Sequence, residues 1–381
     1  MKKRIAMAMV ICLLVLSPLA AGDIEFTLDS FNTNNDIFIG FCPTFLTGGI
    51  DYTGLELIDG NSTDLIFITG GGYTQRQLWR DANGAPLINY ANESACTADA
   101  DARTFNVITG EWKILFTQGV FWNEATYNDL VTIELGYLGR YEKYLENKEG
   151  TTSYFIDSPN SVIYPEADQL VSNTFVGGFM IETAVNDMVS AHGFDLEFSA
   201  SYAPAWILNS LLDGVVDYYS LSGVFTGYLP LYEKRSDDYM NLVSVYLSDR
   251  IRADYIEGPA VPVYAQKEPS LGYKMRGFKS FSYATSLTAV NNFDVRVSGP
   301  EVKIPGLFPR GGLYCDIGYY TGHYANDENE KDTGLLMSAG AELAFSFFDF
   351  LNLGARANYA LVGDTLTKNP FSYDIFMTMH Y

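Results

Sequence analysis

The sequence predicts an all-β chain, a transmembrane antiparallel β-barrel, and three observations predict it. An export signal opens the chain. No later run is apolar for long enough to cross a bilayer as a helix. Near the C-terminus, apolar and polar residues alternate over stretches longer than ordinary soluble strands.

Lys2, Lys3 and Arg4 precede an apolar stretch over 5–16, and the small residues Ala20, Ala21 and Gly22 follow it. That is the layout of a secretory signal peptide with cleavage after Ala21 or Gly22. Residues 1–22 are therefore read as signal, and 23–381 as one barrel domain that no repeat or linker divides. Cys12 lies inside the apolar stretch behind bulky Ile11, which argues against lipidation. Losing three basic residues takes the formal charge from −22 to −25. Such an acidic balance excludes nucleic acid as a partner, because phosphate binding needs a basic footprint. It fits an exported chain whose loops and lumen face water.

Cys42, Cys96 and Cys315 remain after processing. Export permits disulfides, but an odd count precludes a complete paired framework. A Cys42–Cys96 pair and three free thiols, with Cys315 facing lipid, both stay open.

The strands are clearest at the C-terminal end. Leu335, Met337, Ala339, Ala341, Leu343, Phe345 and Phe347 alternate with Ser338, Gly340, Glu342, Ala344 and Ser346. This predicts a strand of about 13 residues, against about 5 or 6 for soluble strands and about 9 to 11 for tilted membrane strands. After a turn at Phe348-Asp349-Phe350, Leu351, Leu353, Ala355, Ala357, Tyr359 and Leu361 form an apolar face opposite Asn352, Gly354, Arg356 and Asn358. Tyr373, Ile375, Met377, Met379 and Tyr381 alternate to the chain end, and a terminal aromatic resembles the recognition signal of bacterial outer-membrane barrels. Val131, Ile133, Leu135, Tyr137 and Tyr141 form one earlier run, and Phe194, Leu196, Phe198, Ala200 and Tyr202 another. Further candidate strands lie near 24–30, 36–45, 49–58, 62–70, 73–80, 103–109, 111–122, 173–183, 215–230 and 239–256, and not all of these need be separate wall strands. Connections alternate short and long, and the polar stretches 81–102, 143–172 and 325–333 read as external loops. Residues 204–213, closed by Gly214, are either a short helix with Ile207, Leu208, Leu211 and Leu212 on one face or an apolar connection.

Two motifs carry the chemistry. Met275-Arg276-Gly277-Phe278 comes first, and Gly312-Leu313-Tyr314-Cys315-Asp316-Ile317-Gly318 follows on a strand. Alternation puts Leu313, Cys315 and Ile317 on the lipid side and turns Tyr314, Asp316 and Gly318 inward. A carboxylate in a confined interior needs water or a partner. Arg276 suits it, because a planar guanidinium grips a carboxylate through two hydrogen bonds. Gly277 allows close backbone approach, and Phe278 fills space.

The motif pair resembles that of the BamA superfamily, the bacterial surface antigen (D15) family of outer-membrane barrels. The resemblance implies about sixteen antiparallel strands and an inward-folded loop bearing Arg-Gly-Phe. Arg276, Gly277 and Phe278 match the loop motif, with Met275 in place of a branched first residue. Tyr314, Asp316 and Gly318 match the strand motif. Asn292-Phe293-Asp294-Val295-Arg296-Val297 resembles the intervening strand, although Asn291-Asn292 read locally is a hairpin turn. The comparison runs one strand through it. Residues 338–342 resemble the strand after Asp316, with Glu342 as a second carboxylate for Arg276. The match is motif-level over 271–381 and architectural before that. Well-studied relatives carry periplasmic POTRA domains, whereas about a dozen residues separate Gly22 from the first wall strand expected near Asp36, too few for a globular domain.

The resemblance implies a role in inserting outer-membrane proteins or translocating polypeptides. It implies residence in the outer membrane of a diderm bacterium, with lipids, nascent outer-membrane or exported chains and a POTRA-bearing or periplasmic partner as contacts. The seam of first and last strands, at 35–41 and 373–381, would open to template an incoming strand. It is marked by Ile37, Ile39 and Phe41 and by Tyr373, Ile375, Met377, Met379 and Tyr381. A passive pore for small solutes, cation-preferring if carboxylates line it, is the alternative, and an accessory barrel beside a POTRA-bearing partner a third. No enzyme, cofactor or metal is expected. His192, His323 and His380 lie in no catalytic constellation, and Asp327-Glu328-Asn329-Glu330 lacks the spacing of a calcium loop.

Overall fold

The computed structural model describes residues 24–29, 35–42, 45–80, 101–123, 128–145, 169–186, 191–212, 214–235, 241–262, 265, 271, 274–278, 285–302, 306–323, 331–347, 351–362 and 370–379. Its strands are β1 (Ile24–Asp29), β2 (Asn35–Cys42), β3 (Phe45–Leu55), β4 (Thr63–Arg80), β5 (Asp101–Asn123), β6 (Asn128–Leu145), β7 (Gln169–Glu182) and β8 (Val185–Asn186). The remainder are β9 (Ala191–Ala203), β10 (Asp217–Arg235), β11 (Asn241–Ala260), β12 (Thr285–Ser298), β13 (Leu307–His323), β14 (Lys331–Phe347), β15 (Leu351–Val362) and β16 (Phe371–Met379). All pairs are antiparallel between sequence neighbours, except that β7 pairs with β9 and β8 lies off the path against β9.

The closed barrel expected from the sequence is not found. The pairing path starts at β1 and stops at β16, and these two strands are not hydrogen-bonded to each other among the described residues. Alternation records which face a side chain takes. Closure depends instead on strand number, tilt and stagger, which alternation does not encode.

The two faces of the sheet are inverted relative to a water-soluble protein. Along β13 and β14, Leu313, Ile317, Leu335, Leu343 and Phe345 are exposed, while Asp316, Ser338 and Ser346 are buried. Soluble folds bury their large apolar residues and leave charged ones out. The polar face is concave, because Thr47 of β3 and Asp254 of β11 line one cavity of about 690 Å³ although they are far apart in strand order.

Several expected boundaries move. Strands expected at 62–70 and 73–80 are one strand, β4, and those at 103–109 and 111–122 are one strand, β5. Gly71 and Gly72, which fall between the two expected strands, pair in register with Gly110 and Thr109. Long strands also absorb the ends of the polar stretches: 101–102, 143–145, 169–172 and 331–333 are extended. The rest of those stretches, the signal segment, Cys96 and the Phe348-Asp349-Phe350 turn lie outside the described residues. Asn291 and Asn292 sit inside β12 and pair with β13, so no hairpin forms there.

Over 204–212 the chain is not a helix. Ile207 N donates to Pro204 O (3.2 Å) and Leu211 N to Leu208 O (3.1 Å), which makes tight turns. Leu208 adopts φ +55°, a left-handed conformation that costs roughly 1–2 kcal/mol for a residue with a side chain and breaks any right-handed helix. Asn209 is wholly buried and acts as a strand substitute. Its Oδ1 accepts from the Asn173 backbone N–H (2.6 Å), and its Nδ2 donates to the Asn173 carbonyl (3.0 Å). Gly214 N donates to Gln169 O (3.1 Å) and completes this patch beside β7.

Candidate functional site

The turn at 274–278 lies across the concave polar face, and its contacts reach five consecutive strands. Lys274 Nζ donates to Asp254 of β11 (2.6 Å), a carboxylate also gripped by Arg252 and by Ser222 Oγ (2.7 Å). Asn292 of β12 donates through Nδ2 to the Lys274 carbonyl (3.1 Å). Ser338 Oγ of β14 donates to the Arg276 carbonyl (2.6 Å). Gly277 backs onto β14 and β15, where an added Cβ would stand 3.5 Å from Ser338 Cβ and 3.3 Å from Asn358 Cβ. Its φ of +88° suits glycine, which has no Cβ to clash.

Arg276 is the centre of this arrangement. Its backbone N–H donates to Asp316 Oδ2 of β13 (2.8 Å), its Nε to the same oxygen (2.9 Å), and its Nη2 to Asp316 Oδ1. Its Nη1 reaches Asp294 of β12. The guanidinium lies 3.8 Å from the Tyr314 ring centroid, within cation–π range. Burial alone would lower the Arg276 pKa, but hydrogen bonds to Asp316 and the charges of Asp316 and Asp294 hold it above its ordinary value. Asp316 is wholly buried, and this fork offsets the cost of its burial. Met275 and Phe278 are buried on either side. Met275 occupies the space that a side chain at Gly318 would need.

A second tier continues towards the end of the sheet. Tyr314 donates through its hydroxyl to Asn358, whose Nδ2 donates to Ser372 (3.2 Å) and Asp374 (3.0 Å). Glu342 is not the second carboxylate of Arg276. It accepts from Arg356 through Nε (2.9 Å) and Nη2 (2.7 Å), because Arg356 is its register partner on β15. Asp294 takes the role expected of Glu342. Alternation of Asn292, Asp294 and Arg296 with Phe293, Val295 and Val297 puts Asp294 on the polar face, but only its register opposite Tyr314 brings it to Arg276.

The seam residues need a correction as well. Ile37, Ile39 and Phe41 lie on β2, which pairs with β1 on one side and β3 on the other, so the N-terminal edge strand is β1. Six residues starting at Ile24 were enough to add a strand outside the expected one. Tyr373, Ile375, Met377 and Met379 lie on β16, the other edge, with Tyr373 and Ile375 strongly exposed. Tyr381 is outside the described residues.

Among the described residues no three His, Cys, Asp or Glu side chains converge as a metal site. Arg276 grips Asp316, and Asp294 divides its oxygens between Arg276 and Arg296 (3.1 Å). Cys315 is a free thiol. No helix among the described residues is long and apolar enough to cross a membrane, which says nothing of crossing by strands.

The sheet is similar to that of BamA from Haemophilus ducreyi lacking POTRA domains 1–3, with a TM-score of 0.53 and 12% identity over 94% of this chain and 67% of that one. CdiB from Escherichia coli is also similar, with a TM-score of 0.47 and 11% identity over 94% of this chain and 62% of that one. At these identities the likeness to BamA is one of fold, and the chain spans about two thirds of the matched lengths. No protein-family model and no curated protein matches the sequence.

Proposed function

We propose that this chain resides in the outer membrane of a diderm bacterium and takes part in inserting outer-membrane proteins or translocating polypeptides. The observation that carries the reading is the Arg276 turn seated on Asp316 in a sheet whose fold is like that of BamA. Here 1–22 is the export signal and 23–381 the membrane domain. The exposed apolar face meets lipid, and the buried polar face lines a hydrated interior. Arg276, Gly277, Phe278, Tyr314, Asp316 and Gly318 are structural: they hold the turn against the sheet and fix its curvature, with no catalytic part. β1 and β16, the ends of the pairing path, are the working elements. A strand edge offers backbone donors and acceptors in a row, so an incoming chain can add by strand pairing.

Site-specific photo-crosslinking in native outer membranes tests this, with probes at Phe26 on β1 and Ile375 on β16. Crosslinks to several unrelated outer-membrane precursors or exported chains are expected. One stable partner with periplasmic domains would make the chain an accessory subunit. Absence of any protein adduct at both edges would sink the reading.

The large polar cavity favours a passive solute channel as the second reading. Its charged lining is balanced, with Glu111, Glu197 and Asp254 against Lys113, Arg140 and Arg252. The chain's net acidity is therefore not concentrated there, and the cation preference expected from composition gives way to weak selectivity in this reading.

A further inference from the structure

The connection from β9 to β10 is built with its polar side chain inside and its apolar side chains outside. Over 204–212 it holds no charged residue. Trp206 is 78% exposed, Leu208 58% and Leu211 67%, while Asn209 is wholly buried against Asn173. A connection in water has the opposite arrangement, because exposed apolar surface is unfavourable there. The backbone adds a second observation. Leu208 is the one described residue other than glycine with a positive φ, and its side chain is exposed. Strain of this kind persists only where the surroundings hold it, and here the Asn209–Asn173 pair and the turns on either side do so.

The patch is continuous with the apolar face of the sheet. Tyr202 of β9 pairs in register with Tyr219 of β10, both are exposed, and the Tyr219 ring lies 6.0 Å from that of Tyr255. The Tyr219 and Tyr255 hydroxyls both donate to Glu257. Aromatic bodies with polar tips suit the boundary between hydrocarbon and headgroups. From that rim the chain continues through Val215, also exposed, to Trp206, Leu208 and Leu211.

We propose that 204–212 is an interfacial anchor, a preformed turn that immerses Trp206, Leu208 and Leu211 in the lipid headgroup boundary at the end of the sheet where β9 passes to β10. The inference rests on membrane residence and names the lipid contact of one segment. The absence of charge over 204–212 selects a lipid boundary over an aqueous ligand, and the first carboxylate, Asp213, comes only after the three apolar side chains. The fixed turns mean that little ordering is left to be done on contact.

The test uses the full mature chain with Trp79, Trp112 and Trp122 replaced by Phe, refolded into phosphatidylcholine vesicles brominated near the headgroup end of the acyl chains. Emission from Trp206 should be blue-shifted and strongly reduced relative to unbrominated vesicles, with little further loss on adding acrylamide. Unreduced emission with full acrylamide quenching would overturn the anchor. A companion chain that also carries Trp206→Phe and Leu343→Trp reports on the middle of the apolar face. If its emission is quenched by brominated lipid and that of Trp206 is not, only the anchor fails. If neither is quenched, membrane residence fails with it. Should the tryptophan replacements block folding, an environment-sensitive dye on Leu211→Cys, with the native cysteines changed to Ser, gives the same decision. Water-like emission in vesicles would again overturn the anchor.

Discussion

Arg276 joins three groups that the chain could not otherwise bury together: two carboxylates from adjacent strands and an aromatic face. Arg276→Ala strips buried Asp316 of the guanidinium that grips it and leaves Asp294 with Arg296. Breaking a buried pair in this way costs roughly 3–5 kcal/mol. We expect lower abundance and loss of heat-modifiable electrophoretic migration, and wild-type behaviour in both would remove Arg276 from its structural role. Arg276→Lys retains the charge but not the fork, so an intermediate defect is expected in the same assay. Gly277→Ala should lose about 1–2 kcal/mol in urea unfolding, because a Cβ is unfavourable in that left-handed backbone. Much of this was legible in the residues, since alternation alone set Tyr314, Asp316 and Gly318 on one face. The exchange of Glu342 for Asp294 was not. It depends on which strand pairs with which register, and Arg356 stands opposite Glu342.

At the scale of elements, the β9–β10 connection shows how one amide can complete a sheet. β9 turns away at Ala203 while β7 runs on, so Asn173 needs partners that no strand provides. Asn209→Ala removes a donor and an acceptor at once. Each buried group left unsatisfied costs roughly 1–3 kcal/mol, so hydrogen exchange at 169–174 should accelerate selectively. Unchanged protection there would mean that water replaces Asn209 without loss. The helical reading of this segment failed for a physical reason. Spacing of Ile207, Leu208, Leu211 and Leu212 suits a helix, but the competing hydrogen bonds of Asn209 lie in a distant strand that spacing does not reveal. Conversely, Gly71 and Gly72, left between two expected strands, are strand, because cross-strand pairing on both sides outweighs glycine's weak preference.

For the whole molecule, polarity inversion and strand length dominate. β5 has 23 residues and β11 has 20, against about 5 or 6 for a typical strand. The concave face over β11–β15 is filled by the Arg276 turn, whereas over β7–β10 it keeps small hydroxyl side chains such as Ser172, Ser199 and Ser220, leaving the large cavity. If solutes pass there, reversal potentials in a salt gradient should lie near zero, given the balanced lining. A strong cation preference would place the selectivity elsewhere in the chain.

The sequence by itself determined the β character, the long alternating strands, the export signal as an expectation and the two motifs that meet at Arg276. Each of these is encoded within a few neighbouring residues, through side-chain parity and turn chemistry. Only the tertiary structure decided that β1 outflanks β2 as the edge, that the pairing path stays open, and that Asp294 rather than Glu342 completes the Arg276 site. Those outcomes rest on register and on contacts between residues far apart in the chain, where the energy of one pairing is set by all the others.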